Sequence, residues 1–408
     1  MSLTAVIGVC ECRESAKSAK TTSGQQIIGE SEKPAKTVKS TKTEKKPVQE
    51  ENTEPSLTQK QTFAEIDKLG GRFVIDDVSA DDGSAIVNSL LPIVNSLLPK
   101  VIDAGLAHSK GLTNLTRLNL TNSQVTDAGL VHLKGLTNLE VLWLDDSQVT
   151  DAGLVHLNGL ANLKLLTLRN TQVADPGLFH LNGLANLFEL SLDGTQVTDA
   201  GLKHLKGLTN LNRLYLSFTP VADAGLVHLK GLTDLEVLWL NNTQVTDAGL
   251  VHLKGMTNLN DLGLRDTQVT DAGLKHLKGL TNLDALWLGG TQVTDAGLIH
   301  LKGLTDLEAL WLVGTQVTDA GLVHLKGLAN LNNLNLRDTQ VTDAGLVHLK
   351  GLNNLSSLCL DATQVTDAGL IHLKGMTNLN DLYLDGTHVT RDGKNKLNHA
   401  LPKCDMYH

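Results

Sequence analysis

A 24-residue unit repeats along most of this 408-residue chain without a single insertion or deletion. The unit reads L-x-x-L-x-L-x-x-T-x-V-T-D-A-G-L-x-H-L-K-G-L-T-N. Its first leucine recurs twelve times, from Leu115 through Leu139, Leu163 and onward to Leu379. A strict period of this length implies stacked copies of one supersecondary unit, each burying its apolar side against the next. An array of this kind grows as one body, so chain length does not count its domains.

Each repeated residue type has a structural reason to recur. L-x-L has period two, placing Leu142 and Leu144 on one face of a short strand, with successive strands parallel and about 4.8 Å apart. The hydroxyl column Ser123, Ser147, Thr171 and Thr195 predicts an internal ladder that satisfies backbone groups of the turn. In Val-Thr-Asp-Ala-Gly-Leu, the variant Asp175-Pro176 marks a helix start, because proline favours the first helical position, and makes Asp the expected N-cap. A helix of about two turns follows, with Leu130 and Leu133 facing inward and Gly135, Gly159 and their equivalents as left-handed C-terminal glycines. Gly129 and its equivalents are expected to let adjacent turns approach closely. The histidine column, His108 and His132 through His372, falls opposite the leucines on the helical wheel. It is therefore expected on the solvated convex side, complementing the helix macrodipole rather than holding metal.

The flanks differ from the array. Residues 1–12 include Leu3–Val9 followed by Cys10, which resembles the end of a signal peptide before a lipid-modified cysteine. No Lys or Arg precedes that run, and Val9 stands where a small residue is expected. An exported or lipid-anchored location and a cytoplasmic one both stay open. Residues 13–60 are rich in Lys, Glu, Ser and Thr with few large apolar groups, which predicts a disordered linker. Residues 61–90 read as an N-terminal cap, with a helix at Phe63–Leu69 and a strand at Phe73–Ile75. The solenoid is expected over 91–390, one degenerate repeat at about Leu91–Asn114 and then the twelve regular ones, with a C-terminal cap at 391–408. Ile86–Pro92 is copied residue for residue as Ile93–Pro99.

The pattern from Leu187 to Leu202 resembles the leucine-rich-repeat proteins abundant in planctomycetes and some other bacteria. It is also similar to the repeats of eukaryotic F-box proteins, with Thr where those have Cys. The resemblance spans about Phe63 to Tyr407. It implies an α/β leucine-rich-repeat solenoid, a horseshoe with a parallel sheet on the concave face and short helices on the convex face. Such scaffolds share a fold and vary their surfaces, so the resemblance does not name a partner. No F-box-like helical segment is evident in the first hundred residues.

What varies is therefore what can carry function. The concave column between the second and third leucines runs Asn119, Trp143, Thr167, Ser191, Tyr215, Trp239, Gly263, Trp287, Trp311, Asn335, Cys359, Tyr383. It holds all four tryptophans of the chain. Five arginines flank it: Arg117, Arg169, Arg213, Arg265 and Arg337. Trp, Tyr and Arg dominate interface hot spots, so these eleven residues are the candidate partner contacts. Against that stands passive packing of large rings over the sheet. Gly263 predicts a notch between Trp239 and Trp287. Asp145, Arg169 and Asp193, and likewise Arg337 and Asp361, are expected to form cross-strand charge pairs.

A formal net charge of −9 argues against nucleic acid as the main ligand. The four cysteines are too irregularly placed for a disulfide framework or a zinc site. No apolar run reaches the roughly 18–20 residues of a transmembrane helix. No nucleotide-binding, hydrolase or metalloprotease motif occurs, and no cofactor is implied. The leading expectation is a non-enzymatic scaffold binding a protein on its concave face. A glycan-binding surface protein and a ubiquitin-ligase adaptor are the alternatives.

Overall fold

The computed structural model describes residues 99–408 and, upstream, the backbone of Phe73–Val74 and Ile86–Ser89. Segments 1–12 and 13–60, the Phe63–Leu69 helix and residues 93–98 of the second heptapeptide copy lie outside the described residues.

Three-residue strands recur every 24 residues from Arg117–Asn119 to Asp381–Tyr383. They align in parallel with no register drift, so that Leu118 stands beside Leu142 and Trp287 beside Trp311. Among the described residues they belong to one unclosed sheet of fifteen strands in chain order. The sheet lines the concave face of a leucine-rich-repeat solenoid, and short helices form the outer layer. The strand before Arg117 is Ile86–Ser89, with Ile86 opposite Arg117. That offset (117 − 86 = 31) exceeds the repeat by seven residues, the length of the duplicated segment.

The core is continuous along the array. One repeat contributes Leu139, Leu142, Leu144, Val149, Leu154, Leu157 and Leu160, all essentially without solvent exposure. Burying each such side chain favours folding by about 1.5–3 kcal/mol before conformational entropy is subtracted. The outer layer is tighter than a two-turn helix. Asp127–Leu130 is a single α turn, and Val131–Leu133 continues it as 3₁₀. Left-handed glycines end this segment at Gly135, Gly159 and Gly255, but not at Gly207 or Gly351, where the 3₁₀ turn runs through the glycine.

Three polar ladders lock the turns. Within each turn the buried hydroxyl donates to the leucine carbonyl three residues back, as Thr267 Oγ1 to Leu264 O at 2.6 Å. Between turns the aspartate does a different job from the one its sequence position suggests. The N-cap is Thr, whose hydroxyl accepts from the alanine N–H two residues on, as Thr150 does from Ala152. Asp127 is already inside the helix, and its carboxylate accepts from Thr150 N at 2.8 Å and Thr150 Oγ1 at 2.6 Å, in the next turn. Gly153 makes this possible, since a Cβ there would collide with that carboxylate. Where Ala174 replaces the capping Thr, the cap hydroxyl is lost but Asp151 still accepts from the Ala174 N–H. The third ladder is the asparagine of Thr-Asn, whose Nδ2 donates to the preceding turn, as Asn138 to Thr113 O at 2.9 Å.

The C-terminal end is covered by Arg391–Ala400, capped by the Thr390 hydroxyl, which accepts from Gly393 N at 3.1 Å. The chain then adds one more parallel strand, Asp405–Tyr407, beside Asp381–Tyr383.

Candidate functional site

The sheet turns its even-numbered leucines into the core, so the alternate column faces the open concave side. There the side chains form three separate groups of contacts. Arg117 lies over the Trp143 ring, its guanidinium carbon 5.4 Å from the centroid. Tyr215 meets Trp239 edge to face at 5.1 Å and 89°. Trp239 meets Trp287 at 6.0 Å and 59°, and Trp287 stacks on Trp311 at 3.6 Å and 6°. Tyr383 stacks on Tyr407 at 4.7 Å.

These rings are not equally available. Trp143, Tyr215 and Trp239 are half-buried. Trp287 and Trp311 are only 5% and 2% exposed, and Tyr383 is buried with them. The cause lies in the neighbouring column, where Ala285 and Ala309 let the two tryptophans lie down against the sheet and against each other. These rings form the floor of the concave surface rather than its contact layer. The notch expected at Gly263 is also filled. With no side chain there, Asn241 lies over the glycine and the Trp239 and Trp287 rings meet across it.

The arginines divide similarly. Arg117 and Arg169 are exposed, whereas Arg213, Arg265 and Arg337 are half-buried. Arg213 Nη1 lies 3.8 Å from Glu189 Oε2, and Arg265 Nε donates to Asp266 Oδ2 at 3.2 Å. The aspartates expected to pair across strands feel the charge of neighbouring arginines, Asp145 and Asp193 that of Arg169 and Asp361 that of Arg337, and they also cap backbone. Asp145 accepts from Arg169 N at 2.8 Å, Asp193 from Ser217 N at 2.6 Å and Asp361 from Asp385 N at 2.7 Å. A peptide N–H in the next turn lies within reach of so short a side chain.

Two of the concave carboxylates carry a cost. Burial pushes Asp193 up to about 6, against the hydrogen bonds from Ser217. Burial likewise pushes Asp261 up to about 6, although Trp287 Nε1 donates to its Oδ1 at 3.0 Å. The Trp239 indole also faces this carboxylate and counters part of the upward shift.

One residue of the site escapes a reading based on the strand column. The turn position after each strand has positive φ and carries Asn, Asp, Gly or Ala in its other copies from Asn122 to Gly386, but Phe218 holds it at φ 59°. Phe218 is 65% exposed. Together with Trp239, Trp287, Asn241, Asn242, Arg265 and Asp266 it borders a cavity of about 360 Å³. A lone aromatic in a column of turn formers was the signal available in the sequence.

The histidine column from His132 to His372 is half-buried rather than fully solvated. Burial, with neighbouring lysines second, lowers the pKa of His132, His204, His228, His276 and His300. Among the described residues no three His, Cys, Asp or Glu side chains gather into a metal-binding group. No helix there is long and apolar enough to cross a membrane.

A family model described as Leucine Rich repeats (2 copies) matches residues 113–156. Among solved structures, an internalin from Listeria monocytogenes is similar at 27% identity and a TM-score of 0.62, over 88% of this chain and 98% of its own. A leucine-rich-repeat protein of Leptospira interrogans is similar in fold, at 19% identity and a TM-score of 0.54, over 80% of this chain and 89% of its own. A comparison with curated proteins finds no match.

Proposed function

We propose that this leucine-rich-repeat solenoid is a non-enzymatic scaffold that holds a polypeptide partner on its concave face. The observation that carries this reading is a division of labour along the repeat. The recurring Leu, Val, Ser/Thr, Asp and Asn residues are consumed by the core and the three ladders. The strongly varying aromatics and arginines collect on one open face, with Arg117 over Trp143 and Tyr215 against Trp239 at its surface. Half-buried, pre-packed aromatic and Arg side chains bind polypeptide with little loss of side-chain entropy.

The glycan alternative draws less support from the same geometry. Stacking a sugar needs an open ring face, and Trp287 and Trp311 close each other's. The Thr-Asp-Ala-Gly-Leu unit, which resembles planctomycete-type bacterial repeats, is the feature that would place the chain more finely among leucine-rich-repeat proteins.

A variant carrying Trp143→Ala and Tyr215→Ala tests the reading. Both side chains lie outside the leucine core, so circular dichroism and melting should stay near wild type. Recovery of wild-type polypeptide partners in pull-downs should fall at least about tenfold. Equal recovery by the two proteins would refute the concave-face assignment. Saturable sugar binding that the same variant loses would replace polypeptide with glycan.

A further inference from the structure

We infer that the cavity between Phe218, Trp239 and Trp287 is an anchor pocket for one uncharged aromatic side chain of the polypeptide partner. This deepens the concave-face reading and rests on it.

Three observations converge on that occupant. The first is size. At about 360 Å³ the cavity stands at the small end of ligand pockets, roughly 300–1,000 Å³, which suits a single large side chain. The second is polarity. The asparagine, arginine and aspartate groups of the wall are engaged with one another. Asn241 Oδ1 accepts from Arg265 N at 2.9 Å, Asn242 Nδ2 donates to Asp266 Oδ2 at 3.3 Å, and Arg265 Nε donates to the same oxygen at 3.2 Å. The Arg265–Asp266 pair leaves no net charge, so an acidic or basic occupant would meet a like charge beside every opposite one. What the wall offers is aromatic surface, and edge or face contact with a further ring is the favourable way to fill it.

The third observation is Phe218 itself. Its φ of 59° is a conformation that bulky side chains disfavour. At 65% exposed it gains little from burial in the solenoid alone. The fold would be better served by the asparagine or glycine found at this position in other turns. A side chain that costs the fold something, gains little from it and stands at the mouth of a cavity is explained by what it touches when the cavity is filled.

That argument yields opposite signs for stability and binding. A random linear-peptide phage library panned on the full chain, with the selected peptides then titrated by fluorescence anisotropy, provides the test. Every strong binder should carry Phe, Tyr or Trp. Phe218→Asn should bind these peptides at least about tenfold more weakly, while melting at or above the wild-type temperature. Replacing the peptide's own aromatic by alanine should have the same effect, and the two changes should not add, because they remove one contact. Phe179→Val, which restores the usual residue on the convex side, should bind as wild type. Unchanged binding by Phe218→Asn overturns the pocket, and so does a lower melting temperature, which would make Phe218 a structural residue. If binding survives Phe218→Asn but is lost with Trp143→Ala, the pocket is wrong and the concave-face reading stands. If no peptide is selected, both fall.

Discussion

Leu262→Ala is expected to destabilise the solenoid by about 3 kcal/mol, within the 2–5 kcal/mol typical of leucine truncations in a close-packed core. Leu262 has no solvent exposure and stands in register between Leu238 and Leu286. Its neighbours cannot slide into the space left behind. Each turn is pinned by its own hydroxyl bond and by the aspartate and asparagine bonds to adjacent turns. The cavity therefore persists, and both interfaces of that repeat weaken. In an array where each repeat touches only its neighbours, a weak central unit lowers cooperativity as well as stability. Chemical denaturation should show a lower midpoint and a broader or split transition. Val227→Ala, on the exposed convex column, should change stability by no more than about 0.5 kcal/mol.

Asp261→Asn is expected to do the reverse at neutral pH. The Asp261 carboxyl is raised by burial from an ordinary value of 3.8 to about 6. A raised folded-state value means that the native protein holds this proton more tightly than the unfolded chain does. Its contribution is fully favourable below about pH 4 and is lost as pH rises through about 6. At pH 7 the buried charge therefore penalises the native state, on the order of 2–3 kcal/mol for a shift of this size. Asparagine keeps an Oδ1 that accepts from Trp287 Nε1 and carries no charge at any pH. The variant should melt above wild type at pH 7.5, and the difference should vanish near pH 4. Asp193→Asn should behave alike, since burial raises that carboxyl to about 6 as well. A constant difference across the pH range would show that burial of charge is not the cause.

These buried carboxylates lie on the concave face, apart from the repeated residues that build the core and the ladders. That separation explains how much of the molecule could be read from its sequence. The strand leucines, the inward Leu154 and Leu157 and the buried hydroxyl column follow directly from period and residue type, because each acts within its own turn. The aspartate does not. Asp127 bonds Thr150, 23 residues on, and when every turn carries the same residues the period cannot distinguish a bond within a turn from one between turns. The Asn138 bond to Thr113 is hidden for the same reason.

On the concave face, alternation correctly sent Trp287 and Trp311 outward from the leucine core. Their burial depends on Ala285 and Ala309 in the adjacent column, so it becomes visible only when columns are read together. The filled notch at Gly263 is a further case, since the rings on either side are long enough to meet across it. Phe218 was the reverse situation. Its exposure and backbone strain mark it in three dimensions, while in sequence it sits outside the strand stripe where contacts are expected.

The central claim is that the concave face, not the convex one, meets the partner. Replacing Trp143 by the photoreactive aromatic p-benzoylphenylalanine keeps a ring beneath Arg117. The same substitution at Val131 places the probe on the exposed convex column. Irradiation in extract should give discrete polypeptide adducts from position 143 and background only from position 131. Adducts confined to position 131, or the same adducts in equal yield from both, would contradict the account.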